Sequence, residues 1–253
     1  MILEKPFTGF LKETLELIEL AKAKGLFLFE AISVLHAKAM DRIKSSLEKI
    51  GRIRLFNANY SQYSSRYDSY RKGVIEHAFD PAYYGGALFD LNIYNVHYCV
   101  ELFGKPKSVE YFANRGSNGI DTSGVLVLSY DDFQAVCTAA KDSDSRCYLS
   151  IQGEDGCILV DSKPNVADKV QLKYVRKAEG EQGRDSAGAV IRTFAEEIYE
   201  SPEVHHRMTQ EFSDFAEIIR NKDYSKADDL IKSTREVMEI LETARVKAGI
   251  EFV

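Results

Sequence analysis

Four cysteines, Cys99, Cys137, Cys147 and Cys157, stand in 253 residues without forming a C-x-x-C pair, which excludes the common redox and zinc-ribbon spacings. The last three are evenly spaced because they fall in successive predicted strands. No histidine stands at a zinc-like interval to complete a ligand set, so no metal site is expected. A chain of this size needs no disulfide staples, and a reducing cytoplasm is the expected compartment. No apolar run approaches the length of a membrane span. The N-terminus carries acids and Pro6 where a signal peptide needs a basic start and an apolar core. A net charge of −6 and a pI near 5.5 leave no electrostatic footprint for nucleic acid or an anionic membrane surface. Internal repeats and low-complexity segments are also missing. So is any Gly-x-Gly-x-x-Gly stretch; Gly180-Glu181-Gln182-Gly183 is not one, since it follows no buried strand that opens into a helix.

What is present is the composition of a globular protein, 45% hydrophobic and 28% charged. Met1-Ile2-Leu3 reads as the end of a buried strand. Leu11, Leu15, Ile18 and Ala21 make a helical stripe that Gly25 closes. Leu26 to Ala31 suits a short buried strand, and Met40, Ile43, Leu47 and Ile50 mark a second helix ending at Gly51. This strand–helix order matches the trailing part of a doubly wound sheet. From Arg52 the pattern changes. A strand over 52–60 is followed by a polar, tyrosine-rich loop to Asp80 and a helix over 86–103. Strands are then expected over 109–113, 124–130, 133–140, 146–152, 156–160 and 169–175, joined by Asp-, Ser- and Gly-rich turns of hairpin type. Helices over 204–220 and 226–248 close the chain, the latter with Leu230, Thr234, Val237, Leu241 and Ala244 on one face. Ala178 to Gly188, dense in Gly and charge, is the candidate flexible segment.

The pattern implies an α+β fold: the trailing fragment of a doubly wound sheet, then a large, mostly antiparallel sheet with helices on one face. The expected division is 1–51 and 52–253, with the last helices packing back on the first part.

Two short stretches carry candidate chemistry. In Glu4-Lys5-Pro6, a lysine follows a strand of doubly wound character, and the carboxyl ends of such strands are where ligands meet the sheet. Its cation can bind a substrate hydroxyl and lower the pKa of a neighbouring acid; a solvated strand end is the plainer reading. Gly85-Gly86 allows close backbone approach at the start of a helix. On that helix Asp90 and Tyr94 lie four apart and share a face, with His97 one turn further. A tyrosine near pKa ~10 needs a neighbouring cation to work as an acid/base near neutrality. The plainer alternative is an amphipathic helix with its polar side in water. Tyr60, Tyr63, Tyr67 and Tyr70 either line a sugar pocket or pack on the sheet edge. His205 and His206 diverge by about 100° on a helix and read as surface residues.

Taken together, Glu4-Lys5-Pro6 and Gly85-Gly86-Ala87-Leu88-Phe89-Asp90-Leu91-Asn92-Ile93-Tyr94 resemble the glucose-fructose oxidoreductase / inositol dehydrogenase / MocA family. That family has its catalytic lysine in a Glu-Lys-Pro and its partners in a Gly-Gly-x-Leu-x-Asp-x-Gly-x-His/Tyr stretch. The resemblance extends to residues 26–31, 51–60, 79–81 and 243–252. Tyrosine at position 94 is similar to the dihydrodiol dehydrogenase and glucose-fructose oxidoreductase branches. Asn92 departs from the usual glycine, His97 from a frequent aspartate, and Leu35-His36 from an Arg-aromatic pair.

The resemblance implies an NAD- or NADP-dependent oxidoreductase moving hydride to or from a hydroxyl-bearing carbon of a sugar- or polyol-like substrate. It assigns Lys5, Tyr94 and Asp90 to catalysis and Glu4, Lys5 and Pro6 to the cofactor side. It implies a remnant of a dinucleotide-binding domain for 1–51 and a substrate and dimerisation domain for 52–253. It also implies pairing of two chains through the open sheet face. Without a phosphate loop, this chain is expected to lack most of the family's nucleotide-binding half, to bind no dinucleotide by itself and to be inactive alone. The alternative expectation is a non-catalytic remnant whose sheet serves assembly.

Overall fold

Alternation along the second half of the chain builds an eight-stranded sheet in which one parity is buried and the other open. The computed structural model describes residues 1–176, 183–184, 186–188, 191–201, 206 and 208–252. A two-stranded parallel pair, β1 (Ile2–Glu4) and β2 (Phe29–Ala31), is linked by helix α1 (Leu11–Ala23). Helix α2 (Lys38–Ser46) follows and tightens into a 3₁₀ turn, Leu47–Ile50, that ends at Gly51. The apolar face read from the sequence is the buried one, with Met40, Ile43 and Ile50 out of solvent.

Strand β3 (Ile53–Ser61) enters the middle of the large sheet. A short helix α3 (Tyr67–Arg71), a π-helical turn (Leu88–Asn92) and α4 (Ile93–Phe103) come next. Then follow β4 (Ser108–Arg115), β5 (Asp121–Ser129), β6 (Gln134–Ala140), β7 (Tyr148–Gly153), β8 (Gly156–Val160), β9 (Lys169–Val175) and β10 (Phe194–Glu200), before α5 (Thr209–Asn221) and α6 (Tyr224–Lys247). The spatial order is β10-β9-β8-β7-β3-β6-β5-β4; only β3–β6 is parallel. The α+β plan with a mostly antiparallel sheet is therefore what forms. Strand β10 was not expected. Phe-Ala-Glu-Glu-Ile-Tyr-Glu has three glutamates, and it forms because it is an edge strand that pairs on one side only, with β9.

Register shows how the faces divide. One row crosses all eight strands through Val109, Leu128, Ala135, Phe56, Ile151, Ile158, Leu172 and Glu197, and its apolar members are buried under the helices. The adjacent row is Glu110, Val127, Val136, Asn57, Ser150, Leu159, Gln171 and Ile198, on the face without helices. Helix α6 lies against α1, α4, β2 and β4, and a single apolar cluster runs from Phe7 and Ile18 to Leu172 and Ile250. That cluster crosses the sequence division at residue 51.

The strand expected over 26–31 is shorter, Phe29–Ala31. Most of the Ala178–Gly188 segment, including Gly180, Glu181 and Gln182, lies outside the described residues, as does His205. No described helix is long and apolar enough to cross a membrane.

Candidate active site

Parallel strand β1 ends at Glu4, so its carboxyl end delivers Lys5 and Pro6 to the crevice where β1, the π-turn and the 77–87 loop meet; the Lys5–Pro6 bond is cis. The Lys5 ammonium donates to Asp90 Oδ1 at 2.6 Å and to the Asp90 carbonyl at 2.7 Å, closing 85 residues of chain. It also stands 5.2 Å from the centre of the Tyr94 ring. Tyr94 is nearly buried and packs beside Tyr60, ring centres 5.7 Å apart. The structure thus brings Lys5, Asp90 and Tyr94 together. Pro6 and Asp90 line a cavity of about 620 Å³ with Arg66, His77, Tyr83 and Gly85. Glu4 is exposed and makes no ion pair among the described residues.

Local chemistry explains why the helix starts here. Gly86 has φ +106°, and a Cβ on it would fall 2.1 Å from Asp121 Oδ1; that conformation and that space admit only glycine. The buried Asp121 carboxylate accepts from the Leu88 amide at 2.6 Å and from the Tyr111 hydroxyl at 2.7 Å, satisfying the first turn. Burial pushes its pKa up to about 6, against the pull of those two donors. Asn92, which departs from the glycine of the resemblance, is fully buried and donates to the Cys137 carbonyl at 3.0 Å. It ties the π-turn to β6, and Asp90 lies within that turn. Such one-residue expansions recur at functional sites.

Two residues were not foreseen. Lys141, 2% exposed, donates to Asp90 Oδ2 at 2.7 Å, so each oxygen of that carboxylate holds one ammonium. Burial alone would raise the Asp90 pKa, but Lys5 and Lys141 bring it down to about 2. The missed signal was phase: Ala135, Cys137 and Ala139 are the buried positions of β6, and Lys141 is the next residue of that parity. Asp121 is the other, disguised as a turn residue before its strand.

His97 is a correction. The sequence places it on the face of Asp90 and Tyr94, yet it is fully buried with Nε2 3.3 Å from Glu30 Oε2 on β2. Three residues past Tyr94 on an α-helix is 300° of rotation, enough to turn the side chain from the cavity to β2. None of the tyrosines 60, 63, 67 and 70 is among the residues that line this cavity. Tyr60 packs on Tyr94 without lining the cavity, whereas Tyr70 stacks on Phe79 at 4.9 Å and donates to Asn118 at 2.6 Å. The cysteines are free, with Cys99 and Cys137 sulfurs 3.7 Å apart, and among the described residues no three His, Cys, Asp or Glu side chains converge as a metal site.

Residues 37–159 match the GFO/IDH/MocA C-terminal domain. The chain is 34% identical over 254 aligned residues, all of this chain and 71% of the relative, to scyllo-inositol 2-dehydrogenase (NADP(+)) IolU of Bacillus subtilis. The chain belongs to the GFO/IDH/MocA family of oxidoreductases. A trans-1,2-dihydrobenzene-1,2-diol dehydrogenase of Macaca fuscata fuscata is 30% identical over 134 residues, which are 51% of this chain and 38% of that protein. A 3-ketoreductase from Actinomadura kijaniata, solved with NADP and TDP-benzene, has the same fold: TM-score 0.72 at 16% identity, over 96% of this chain and 69% of that one.

Proposed function

We propose that this chain carries the substrate side of a dehydrogenase acting on a hydroxyl-bearing carbon of a sugar- or polyol-like ring. The observation that carries this reading is the Lys5–Asp90 pair beside the Tyr94 ring, with Asp90 lining the cavity. Tyr94 takes the hydroxyl proton as the C–O bond gains double-bond character. Lys5 binds the same oxygen and, as a cation next to the ring, favours the phenolate. Asp90 holds Lys5 in place. IolU, by its name, oxidises scyllo-inositol with NADP(+), and a polyol ring is the substrate class proposed here. A bound nicotinamide supplies the hydride acceptor.

The described residues fit the hydroxyl end of such a reaction better than the dinucleotide's pyrophosphate. Pyrophosphate needs free backbone N–H groups at a helix N-terminus. At α1, which follows β1, the Gly9 and Phe10 amides donate to Glu13 at 3.2 and 3.3 Å, and the Leu11 amide donates to Glu242 at 3.2 Å. Carboxylates already fill that end, and no described glycine-rich turn opens a helix directly after a buried strand. The expected result is no saturable NADPH binding by the 253-residue chain at micromolar concentration in a fluorescence titration. Turnover is tested by joining the chain to the part of IolU outside the match and following NADP⁺ reduction with scyllo-inositol and other ring polyols. Absence of turnover with every polyol and sugar tried, in a folded chimera, would overturn the proposal.

The open face favours an added assembly role for the sheet. Phe112, Phe194 and Ile198 are exposed there, and Val125, Val127, Val136 and Leu159 are half-buried. A two-fold pair would cover this patch with one self-complementary surface. Light scattering tests it: a dimer is expected, and a monodisperse monomer of 28.6 kDa overturns it.

A further inference from the structure

We infer that Lys141 is a positioning residue of this site, fixing the Asp90 carboxylate and through it the Lys5 ammonium. The inference rests on the catalytic reading of Lys5, Asp90 and Tyr94 given above, which assigns nothing to Lys141.

Position comes first. β6 ends at Ala140, and its in-phase residues Ala135, Cys137 and Ala139 are fully buried. Lys141 continues that phase into the interior, where an ammonium is costly to bury without partners. Its backbone is held on both sides: its N–H donates to the Thr122 carbonyl at 2.8 Å, and its carbonyl accepts from the Ser64 amide at 2.9 Å. The ammonium donates to Asp90 Oδ2 and to the Ala78 carbonyl, and lies 4.6 Å from the centre of the Phe79 ring.

These contacts give Lys141 two levers on the site and no direct one. A carboxylate held at one oxygen turns about its Cβ–Cγ bond. Asp90 is held at both, by Lys5 at 2.6 Å and Lys141 at 2.7 Å, so its plane and the seat of Lys5 are set. The Ala78 carbonyl also accepts from the Gly86 amide at 3.1 Å, so Lys141 braces the loop that walls the cavity. Lys141 is 2% exposed, whereas the Lys5 side chain keeps 17% of its surface open, so Lys141 acts on substrate through its neighbours.

Charge gives the second consequence. The groups facing Lys141 are Asp90 and, at longer range, Asp121 and Lys5; those facing Asp90 are Lys5 and Lys141. With two cations sharing one carboxylate, Asp90 offsets only part of the positive charge that Lys5 presents to Tyr94. Removal of Lys141 gives Lys5 the whole of Asp90. The Lys5 ammonium is then more fully paired, and the positive potential at Tyr94 falls. In the alcohol-oxidising direction, where Tyr94 acts as base, the acidic limb of the pH–rate profile moves to higher pH.

The test uses the chain as it stands. Acylation of Lys5 by acetic anhydride at fixed alkaline pH is followed by mass spectrometry, with the exposed Lys12 as internal reference, in wild type, Lys141→Met and Lys141→Arg. The expected result is a roughly threefold or larger slowing at Lys5 in Lys141→Met, with Lys12 unchanged and Lys141→Arg returning toward wild type. Lys141→Gln, which keeps a donor for Ala78, replaces the methionine variant if that does not fold. An unchanged Lys5 rate in a folded, charge-removed variant overturns the inference, because a purely structural Lys141 would lower the melting temperature and leave that rate alone. The catalytic reading fails separately. Full turnover in a Lys5→Ala chimera would sink it even if the acylation rates had moved.

Discussion

Two acid–base clusters sit on the same helical segment, and they are built for opposite ends. At its start, Asp90 opens onto a cavity and holds two ammoniums at hydrogen-bond distance. Two turns later, His97 meets Glu30 in full burial; their contact is 3.3 Å, and none of the four side-chain nitrogens and oxygens makes a hydrogen bond among the described residues. By residue type the second cluster is as suited to proton transfer as the first. Only the first has room beside it for a substrate, and only it carries excess positive charge next to a tyrosine. Access and charge surplus, rather than the presence of titratable groups, separate a candidate catalytic site from a polar contact inside the core.

The comparison breaks most sharply under mutation at the two ends. In the IolU chimera, Lys5→Ala and Tyr94→Phe are each expected to lower turnover by roughly 10²-fold or more, the usual loss when acid–base help is removed. Asp90→Ala should also lower it and shift the pH profile. Near-normal turnover in Tyr94→Phe would show that another group takes the proton. His97→Leu is expected to change turnover little and to lower stability by about 2 kcal/mol, since Glu30 is left buried without its partner; chemical denaturation reads this. A turnover loss in His97→Leu as large as that in Lys5→Ala would erase the distinction between the clusters.

Smaller effects sharpen the first cluster. Gly86→Ala forces a Cβ onto Asp121 at a positive φ and is expected to cost about 1.5 kcal/mol in denaturation experiments. Asp121 acts through pH. Its folded pKa, raised to about 6, lies above the unfolded carboxylate value. The unfolded state therefore ionises first, and this group's contribution to stability falls as pH rises from about 4 to about 6. Asn at 121 retains an oxygen for the Leu88 amide and the Tyr111 hydroxyl. Asp121→Asn should thus remove that decline, seen as a flatter melting temperature between about pH 4 and 7. Asp90 has the opposite sign. With its folded pKa near 2, it supports the fold above the ordinary carboxylate range and loses that support as pH falls toward 2.

Sequence pattern alone determined most of the element types, the α+β plan, the Glu-Lys-Pro at a strand end and the glycine pair at a helix start. Each rests on local rules: periods of two and 3.6, turn chemistry, and φ values open only to glycine. The Lys5, Asp90 and Tyr94 set was legible because two short stretches carry it. Lys141 was not, because its phase on β6 matters only once the π-turn folds across that strand and presents Asp90 to it. Asp121 required the same fold to become the acceptor for the first turn of the helix. His97 was placed on the wrong side because rotation beyond Tyr94 carries it to β2, a partner 67 residues earlier that no local pattern names. Edge strand β10 formed because β9 offered it a ladder. Local sequence fixes which backbone states are cheap. Which buried charges meet, and which of them face open space, depends on contacts between distant segments, and those exist only in the folded chain.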